Sequence, residues 1–285
     1  MQPPYVETEL SFLGAVVSGT PINRFDLDPP QIYPSVKHAV RVHDMRPVAN
    51  GLTLDGNGIM LLKHPDGVLP DFRDAQAIKA RYYPALERLV TTQTGASRAV
   101  VFDHTFRSSA LSRQGTNATA QPLAAWPTGN IETVVTRTHN DYTPESGPAR
   151  VREMLGKFAP DVDSGAAMKR RYAIFNVWRP INGRVEQMPL AMGDMSTLRP
   201  DDFVPTVNQW KYRTGYVSSL RFRPSHRWYY APGLDVDEAL LFKCFDSAPP
   251  NGKWCSAHSA FVDPTSPPNP RVRESIEARV IALFA

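Results

Sequence analysis

Residues 171–180 read RYAIFNVWRP, and they open a half of the chain in which short apolar runs alternate with turns. Runs of this kind, rich in β-branched and aromatic residues, indicate the strands of an antiparallel sandwich or barrel. Together with one earlier run they number eight, as in a jelly roll. The sequence therefore predicts a mainly β fold with flanking helices, built on a double-stranded β-helix (cupin-like jelly roll) core. The eight predicted strands are Glu132–Arg137, Tyr172–Trp178, Met188–Met192, Tyr216–Phe222, Trp228–Ala231, Ala239–Phe245, Ser259–Val262 and Ser275–Phe284.

The first part of the chain mixes short strands with helices. A helix is predicted after Asp74, a candidate N-cap, with a kink or break at Pro84. A second helix is predicted over Pro148–Phe158, because Pro148 lies near its start and Pro160 follows its end. We expect a single domain over residues 1–285, in which a mixed α/β portion of about 130 residues packs on the jelly-roll core that follows it. The additional predicted strands are Lys37–Met45, Gly58–Lys63 and Arg98–Phe102.

The charge and the cysteine content narrow the class of protein. The net charge is +4, but the basic residues are scattered among acidic ones, so no nucleic-acid-binding face is expected. No run of about eighteen apolar residues is present, so no membrane span is expected. The N-terminus lacks the regions of a secretory signal, and the two cysteines are too few for a disulfide framework. These features predict a cytoplasmic protein of unknown oligomeric state.

The tripeptide His139-Asn140-Asp141 is a candidate metal-binding motif. Residues two apart on a strand point to the same face, so His139 and Asp141 can bind one metal ion from one side. A second histidine from another strand would complete a triad of two histidines and one carboxylate, which leaves adjacent positions open on Fe(II). The tripeptide alone is weak evidence, because a histidine and an aspartate at a strand end can instead hydrogen-bond a turn.

The C-terminal third supplies candidates for the second histidine and for an anion-binding arginine. His258 is favoured over His226, because Arg273-Glu274-Ser275 follows His258 and nothing similar follows His226. The fork of an arginine binds a carboxylate through two hydrogen bonds and keeps its charge. Ser275 can add one more hydrogen bond.

Two questions about these residues remain open from the sequence. Arg271 and Arg279 compete with Arg273 for the anion-binding role, and Arg279 shares a strand face with Arg273. Cys244, Cys255 and His258 could instead form a zinc site, although no fourth ligand is evident.

These residues, taken with the runs around them, resemble one group of enzymes. The group is that of the fungal and bacterial oxygenases around the gibberellin GA4 desaturase and the hydroxylase component of cephamycin 7-alpha-methoxylation. The resemblance covers roughly residues 37 to 284 and is dense and ordered. The runs that carry it are GNGIMLLKHP (56–65), TGASRAVVFDHTFR (94–107), HNDYT (139–143), NVWRP (176–180), PLAMGDMST (189–197), HRWYY (226–230), DEALLFKCFDS (237–247), HSAFVDP (258–264) and RESIEAR (273–279).

The resemblance implies roles for particular residues. It implies that His139, Asp141 and His258 bind Fe(II), and that Arg273 and Ser275 bind the co-substrate 2-oxoglutarate. A further set is implied to face the co-substrate or the substrate, although a purely structural role in the core is equally open for Trp178 and His104. That set is Asn176 for the co-substrate, and His104, Arg107, Trp178 and Arg179 for the substrate.

The activity implied by the resemblance is oxidation of a small molecule, usually in secondary metabolism. O₂ and 2-oxoglutarate would be consumed, a hydrogen atom would be removed from carbon, and succinate and CO₂ would be released with hydroxylation or desaturation. A metal-dependent cupin enzyme that does not use 2-oxoglutarate and a non-enzymatic binding barrel are the competing hypotheses. The polar segment Phe106–Gly129 is expected to be a lid over the substrate.

Overall fold

β-Strands make up most of the regular structure in the described chain. The structure is a computed structural model, and it describes residues 3–16, 18–63, 71–72, 74–111 and 131–285. In chain order the strands are β1 (Tyr5–Leu13), β2 (Ile22–Arg24), β3 (Ser35–Asp44), β4 (Ile59–Lys63), β5 (Arg98–Ser108), β6 (Ile131–Thr133), β7 (His139–Asn140), β8 (Tyr172–Pro180), β9 (Leu190–Gly193), β10 (Phe203–Trp210), β11 (Arg213–Leu220), β12 (Trp228–Tyr230), β13 (Glu238–Asp246), β14 (His258–Ala260) and β15 (Glu274–Leu283).

Helical segments connect some of these strands. The α-helices are α1 (Ala75–Ala77), α2 (Tyr83–Thr94), α3 (Ser146–Phe158) and α4 (Ser164–Ala167). A π-helical turn, Ile78–Tyr82, joins α1 to α2, and 3₁₀ turns occur at Arg46–Gly51, Ser109–Leu111, Met195–Thr197 and Pro200–Asp202. In the described part of the chain, no helix has the length and apolar character needed to cross a membrane.

The strands form two sheets. The nine-stranded sheet has the order β1-β3-β12-β9-β14-β7-β11-β10-β2, and the six-stranded sheet has the order β4-β13-β8-β15-β5-β6. Strands from the first 110 or so residues belong to both sheets, since β3 pairs with β12 and β5 pairs with β15. The prediction of a mainly β fold with a jelly-roll core is confirmed. The prediction of one domain over residues 1–285 stays a prediction.

The alternation of side chains along β8 separates two hydrophobic clusters. Ile174 and Trp178 belong to the cluster between the two sheets, which also contains Met192 of the nine-stranded sheet. Phe175 and Val177 point the other way, into the cluster that α2 covers. Because successive residues of a strand point to opposite faces, this alternation decides which side chains of the six-stranded sheet can reach the space between the sheets.

The structure differs from the predicted elements in several places. β1, β2, β7 and β10 are additional strands, and of the predicted strand Glu132–Arg137 only its first two residues belong to a strand, β6. β10 contains Pro205, which argues against a strand in sequence reasoning. The structure accommodates Pro205 because the adjacent edge strand β2 pairs only with residues 207–209 of β10. Of the predicted lid Phe106–Gly129, residues 112–129 lie outside the described residues.

The predicted helices are present. The Asp74 side chain accepts hydrogen bonds from the backbone N–H groups of Gln76 and Ala77, as an N-cap does. The π-helical turn directly before Pro84 is where the regular helix is interrupted. Pro148 lies in the first turn of α3, where a missing N–H costs nothing.

Gly147 in α3 is tightly packed, and this leads to a prediction about stability. A Cβ atom at Gly147 would lie 2.5 Å from Cδ2 of Phe245, whereas a Cβ at Gly156 of the same helix would meet no atom within 4 Å. We expect Gly147→Ala to lower the free energy of unfolding by about 1–3 kcal/mol through overpacking. The matched control Gly156→Ala should raise it by up to about 1 kcal/mol through helix propensity. Urea denaturation measures both changes, and equal effects would contradict the packing argument.

Candidate metal centre

Two histidines from adjacent strands of the nine-stranded sheet face each other beside one aspartate. His139 of β7 pairs with His258 of β14, and their ring centroids are 4.4 Å apart. Asp141 follows β7, with its Oδ1 3.4 Å from His139 Nε2 and 3.9 Å from His258 Nε2. The ligand atoms of the three residues all lie within 4.8 Å of one another. The geometry therefore offers two nitrogens and one oxygen to a single metal ion.

The protonation of these side chains suits metal binding. His139 Nδ1 lies 2.8 Å from the backbone carbonyl of Arg137 and donates to it, so Nε2 is the ring nitrogen that faces Asp141. Burial, with a smaller contribution from His139, lowers the pKa of His258 to about 3, so its ring is neutral at neutral pH. Burial alone would raise the pKa of Asp141, but the adjacent His139 and His258 and the nearby charge of Arg279 hold it well below its usual value.

The second oxygen of Asp141 faces the six-stranded sheet. Asn176 Nδ2 donates a hydrogen bond of 2.8 Å to Asp141 Oδ2, and Arg279 Nε lies 3.7 Å from the same oxygen. Arg279 also donates to Asp103 and Thr105 and contacts Glu277. Arg279 is thus occupied by carboxylates of the protein itself, so it is not free to bind another anion.

Arg273 is in the opposite situation, because it is buried and forms no ion pair with any carboxylate in the described part of the chain. It is 3% exposed, its Nη1 donates to the backbone carbonyl of Met188, and its guanidinium lies 5.3 Å from the ring centroid of Trp178. Within the described residues, Arg273 Nε and the Ser275 hydroxyl have no hydrogen-bond partner. Burial, with a smaller contribution from the charge of Arg107, lowers the pKa of Arg273 to about 9, because the charge of Glu277 offsets only part of the desolvation. Arg273 and Ser275 form a cradle suited to an anion.

Arg271, the other competitor, lies elsewhere. Its Nη1 donates to the backbone carbonyl of Asn182 and its backbone N–H donates to Glu186, both in exposed surroundings. Of the three candidate arginines, Arg273 alone combines burial with unused donor capacity.

The structure separates the predicted substrate-facing residues by strand face. Trp178 lies in the cluster between the sheets, with Asn176 on the same face of β8. Arg107 pairs with Ser275 in the register of β5 and β15, and its Nη1 donates to Glu132. Burial and then the charge of Arg107 lower the pKa of Arg273, as expected for neighbours.

His104 and Arg179 face the α2 side of the six-stranded sheet and not the centre, whereas the resemblance implies that both face the substrate. His104 Nδ1 lies 2.7 Å from the hydroxyl of Tyr83 in α2, and burial lowers the pKa of His104. Arg179 lies over the ring of Tyr82 on the α2 side of the sheet. Arg179 points away from the centre because it follows Trp178 on one strand, and successive residues of a strand cannot both point inward.

The geometry does not favour His226 or the two cysteines as metal ligands. His226 Nε2 lies 2.9 Å from Asp202 Oδ2, and both side chains are buried away from the centre, next to Phe12. The described part of the chain contains one cluster of three possible metal ligands, which consists of His139, Asp141 and His258. Cys244 and Cys255 are not part of it and therefore do not form a site with His258.

Sequence reasoning missed Glu277, Asp103 and Thr105, which surround Arg279. The position of Glu277 could have been predicted from the sequence, because residues 275, 277 and 279 alternate along one strand and therefore share a face. The sequence gives no such indication for Asp103 and Thr105. The pairing of β5 with β15 is irregular next to Arg279, and this irregularity interrupts the alternation of inward and outward side chains along β5.

Comparisons with known proteins agree with this geometry. A family model described as an oxidoreductase/YMDC permease-like domain matches residues 17–283. The alpha-ketoglutarate-dependent dioxygenase phiK from a fungal species is 30% identical over 86% of this chain and 84% of its own length. A solved structure of the iron and alpha-ketoglutarate-dependent endoperoxidase NvfI superposes with a TM-score of 0.81 and 25% identity, covering 99% of this chain and 98% of the other. The chain belongs to the Fe(II)/2-oxoglutarate-dependent dioxygenases.

Relatives of this dioxygenase are named for different oxidations. The hydroxylase/desaturase CTB9 of Cercospora beticola is 28% identical over 86% of this chain and 76% of its own length. Alpha-ketoglutarate is another name for 2-oxoglutarate, so the expected cofactors, Fe(II), O₂ and 2-oxoglutarate, are those of the family. The expectation that the chain is an enzyme acting on a small molecule is confirmed.

The His226–Asp202 pair gives a prediction that separates structural from metal-binding histidines. We expect His226→Ala to lower the free energy of unfolding by about 2–4 kcal/mol, because it removes a buried side chain and a hydrogen bond to a buried carboxylate. Fe(II) affinity, measured anaerobically by competition with a chromogenic chelator, should stay that of the wild type. A folded His226→Ala protein that no longer binds Fe(II) would show that the metal lies elsewhere.

Proposed function

We propose that His139, Asp141 and His258 bind the Fe(II) of this dioxygenase and that Arg273 and Ser275 bind its 2-oxoglutarate. The observation that carries the proposal is the cluster of three ligand atoms within 4.8 Å on the inner side of the nine-stranded sheet. When bound, Fe(II) with 2-oxoglutarate and O₂ supplies the oxidising power that removes a hydrogen atom from carbon, with release of succinate and CO₂. The substrate is a small molecule, and hydroxylation or desaturation is the proposed outcome.

The donor set fits Fe(II). Two neutral imidazoles and one carboxylate are the ligands of non-haem Fe(II) oxygenases, and they leave adjacent positions open for a co-substrate. Thiolates would favour other metals, but Cys244 and Cys255 are fully buried, and burial raises the pKa of each thiol well above its usual value. Neither cysteine is therefore a thiolate at neutral pH.

The cradle of Arg273 and Ser275 fits the far carboxylate of 2-oxoglutarate. A dicarboxylate that approaches the metal with one end needs a cation for its other end, in a place from which water is excluded. Arg273 Nε and the Ser275 hydroxyl are buried donors with unused capacity, and hydrogen bonds to a carboxylate would satisfy both. This fit does not extend to a metal-dependent cupin enzyme that lacks the co-substrate, since such an enzyme has no need of the cradle.

The apolar side chains that line the space between the two sheets, next to the proposed metal site, suit an apolar substrate. Trp178 and Phe242 lie on the inner face of the six-stranded sheet, and the Phe242 ring centroid is 4.9 Å from that of His258. Apolar walls exclude water from the centre and strengthen the electrostatic interactions inside it. Arg107, at the Ser275 end of this face, is the proposed polar contact for substrate.

The proposed location is the cytoplasm. Cys244 and Cys255 are both free thiols, as is usual in a reducing compartment. The scattered charge of the chain agrees with a small-molecule substrate and not with a nucleic acid.

Removal of the carboxylate ligand should abolish metal binding and turnover. We expect Asp141→Ala to reduce Fe(II) affinity by at least about 100-fold and to stop succinate release from 2-oxoglutarate, because the two histidines alone are a poor site for Fe(II). The control Asp161→Ala removes an exposed carboxylate that binds Arg98 and should leave both properties unchanged. The proposed ligand set is refuted if folded Asp141→Ala protein still binds Fe(II) like the wild type.

Arg273→Lys tests the co-substrate cradle. Lysine keeps the positive charge but loses the fork, so the KM for 2-oxoglutarate should rise about 10- to 100-fold, the value of one hydrogen bond to a charged group. Fe(II) affinity should not change, because Arg273 does not contact the ligands. The matched control is Arg271→Lys, which should keep the normal KM; the opposite result for the two variants would assign the cradle to Arg271.

A further inference from the structure

The Asp141 carboxylate lies between the two sheets and uses one oxygen toward each. Oδ1 faces His139 and His258 of the nine-stranded sheet, while Oδ2 faces Asn176 and Arg279 of the six-stranded sheet. We propose that Asn176 and Arg279 are positioning residues that hold Asp141 as a one-oxygen ligand of Fe(II). The inference rests on the proposed metal-binding role of His139, Asp141 and His258.

Asn176 makes the direct hydrogen bond to Asp141. Its side chain is fully buried, and its Nδ2 lies 2.8 Å from Asp141 Oδ2. A carboxylate only accepts hydrogen bonds, so the amide nitrogen, and not the amide oxygen, must face Asp141. Among the described residues, Asn176 Oδ1 has no partner. The hydrogen bond to Asp141 is therefore what fixes the orientation of this amide.

Arg279 supplies a fixed positive charge to the same oxygen. Asn176 and Arg279 are directly opposite each other in the register of β8 and β15, and this brings both donors to Asp141 Oδ2. The guanidinium is held by Asp103 at 3.1 Å, by Thr105 at 3.0 Å and by Glu277 at 3.2 Å. With its other nitrogens bound in this way, Arg279 cannot turn away from Asp141, and Nε stays 3.7 Å from Oδ2.

The consequence concerns the number of open positions on the metal. A carboxylate that binds through both oxygens takes one position more than a carboxylate that binds through one. Oδ2 is engaged by a hydrogen bond and by a cation on the side away from the histidines, so it is not available to the metal. With one oxygen from Asp141 and one nitrogen from each histidine, three positions on Fe(II) would stay open for 2-oxoglutarate and O₂.

The experiment measures the metal site itself in the full-length protein. Asn176→Ala and Arg279→Gln should each weaken Fe(II) binding about 10- to 100-fold, the usual effect of losing the partner of a metal ligand. Fe(II) affinity is measured anaerobically by competition with a chromogenic chelator. The visible absorption of Co(II)-substituted protein, which depends on coordination number and ligand geometry, should differ from that of the wild type in both variants.

The matched control is Arg98→Gln. Arg98 lies on β5 of the same sheet and binds the exposed Asp161, so its loss removes an arginine–carboxylate pair without touching the centre. Its Fe(II) affinity and Co(II) spectrum should equal those of the wild type. A general effect of weakening the sheet would appear in Arg98→Gln as well and would overturn the inference.

A double variant covers the case in which Arg279→Gln fails to fold. Glu277→Gln/Arg279→Gln removes the buried cation together with the carboxylate of Glu277, which avoids leaving Glu277 as a buried unpaired charge. Wild-type Fe(II) affinity and an unchanged Co(II) spectrum in Asn176→Ala and in the folded Arg279 variant would overturn the positioning role and leave the proposed function intact. A wild-type protein that does not bind Fe(II) would instead refute the proposed function.

Discussion

The shared carboxylate of Asp141 is the interaction on which the rest of the site depends. The proposed metal-binding histidines belong to one sheet, and the groups that orient Asp141 belong to the other. Because each sheet contributes half of the contacts to one carboxylate, the distance between the sheets and the shape of the centre are fixed together. The Trp178 and Phe242 side chains pack in the same space, so the hydrophobic cluster that stabilises the fold also sets this distance.

β15 combines the two polar roles of the six-stranded sheet in one row of side chains. Arg273 lies directly before the strand, and Ser275, Glu277 and Arg279 follow at every second position on its inner face. The row begins with the proposed co-substrate cradle and ends at the carboxylate of the metal centre. Burying these charges is unfavourable. Carboxylates of the protein offset the desolvation of Arg279, but for Arg273 the charge of Glu277 offsets only part of it. For Arg273, a bound anion would supply the missing compensation.

The proposed metal ligands and the proposed co-substrate cradle can be predicted from the sequence, whereas most of the residues that surround them cannot. The tripeptide at 139–141 and the Arg273-Glu274-Ser275 run are local patterns whose chemistry follows from residue type and spacing. The face to which a residue points is harder to predict, because alternation tells which residues share a face but not which face is inside. Asn176 and Trp178 lie on the same face of β8, so Arg179 points to the opposite face, where it contacts Tyr82. The orientation of His104 depends on the irregular pairing of β5 with β15, which no sequence pattern indicates.

The placement of the proposed site on the paired strands helps to explain how one fold can support several oxidation reactions. The relatives are named as a hydroxylase/desaturase and an endoperoxidase, although the endoperoxidase shares the whole fold with this chain. The proposed metal ligands, the groups that orient Asp141 and the co-substrate cradle all lie on the paired strands or directly beside them, where a change in one side chain disturbs its cross-strand neighbours. The fate of the substrate depends instead on which of its carbon atoms lies next to the metal. That choice is made by the side chains facing the space between the sheets, which can change without altering the strand register that holds Asp141.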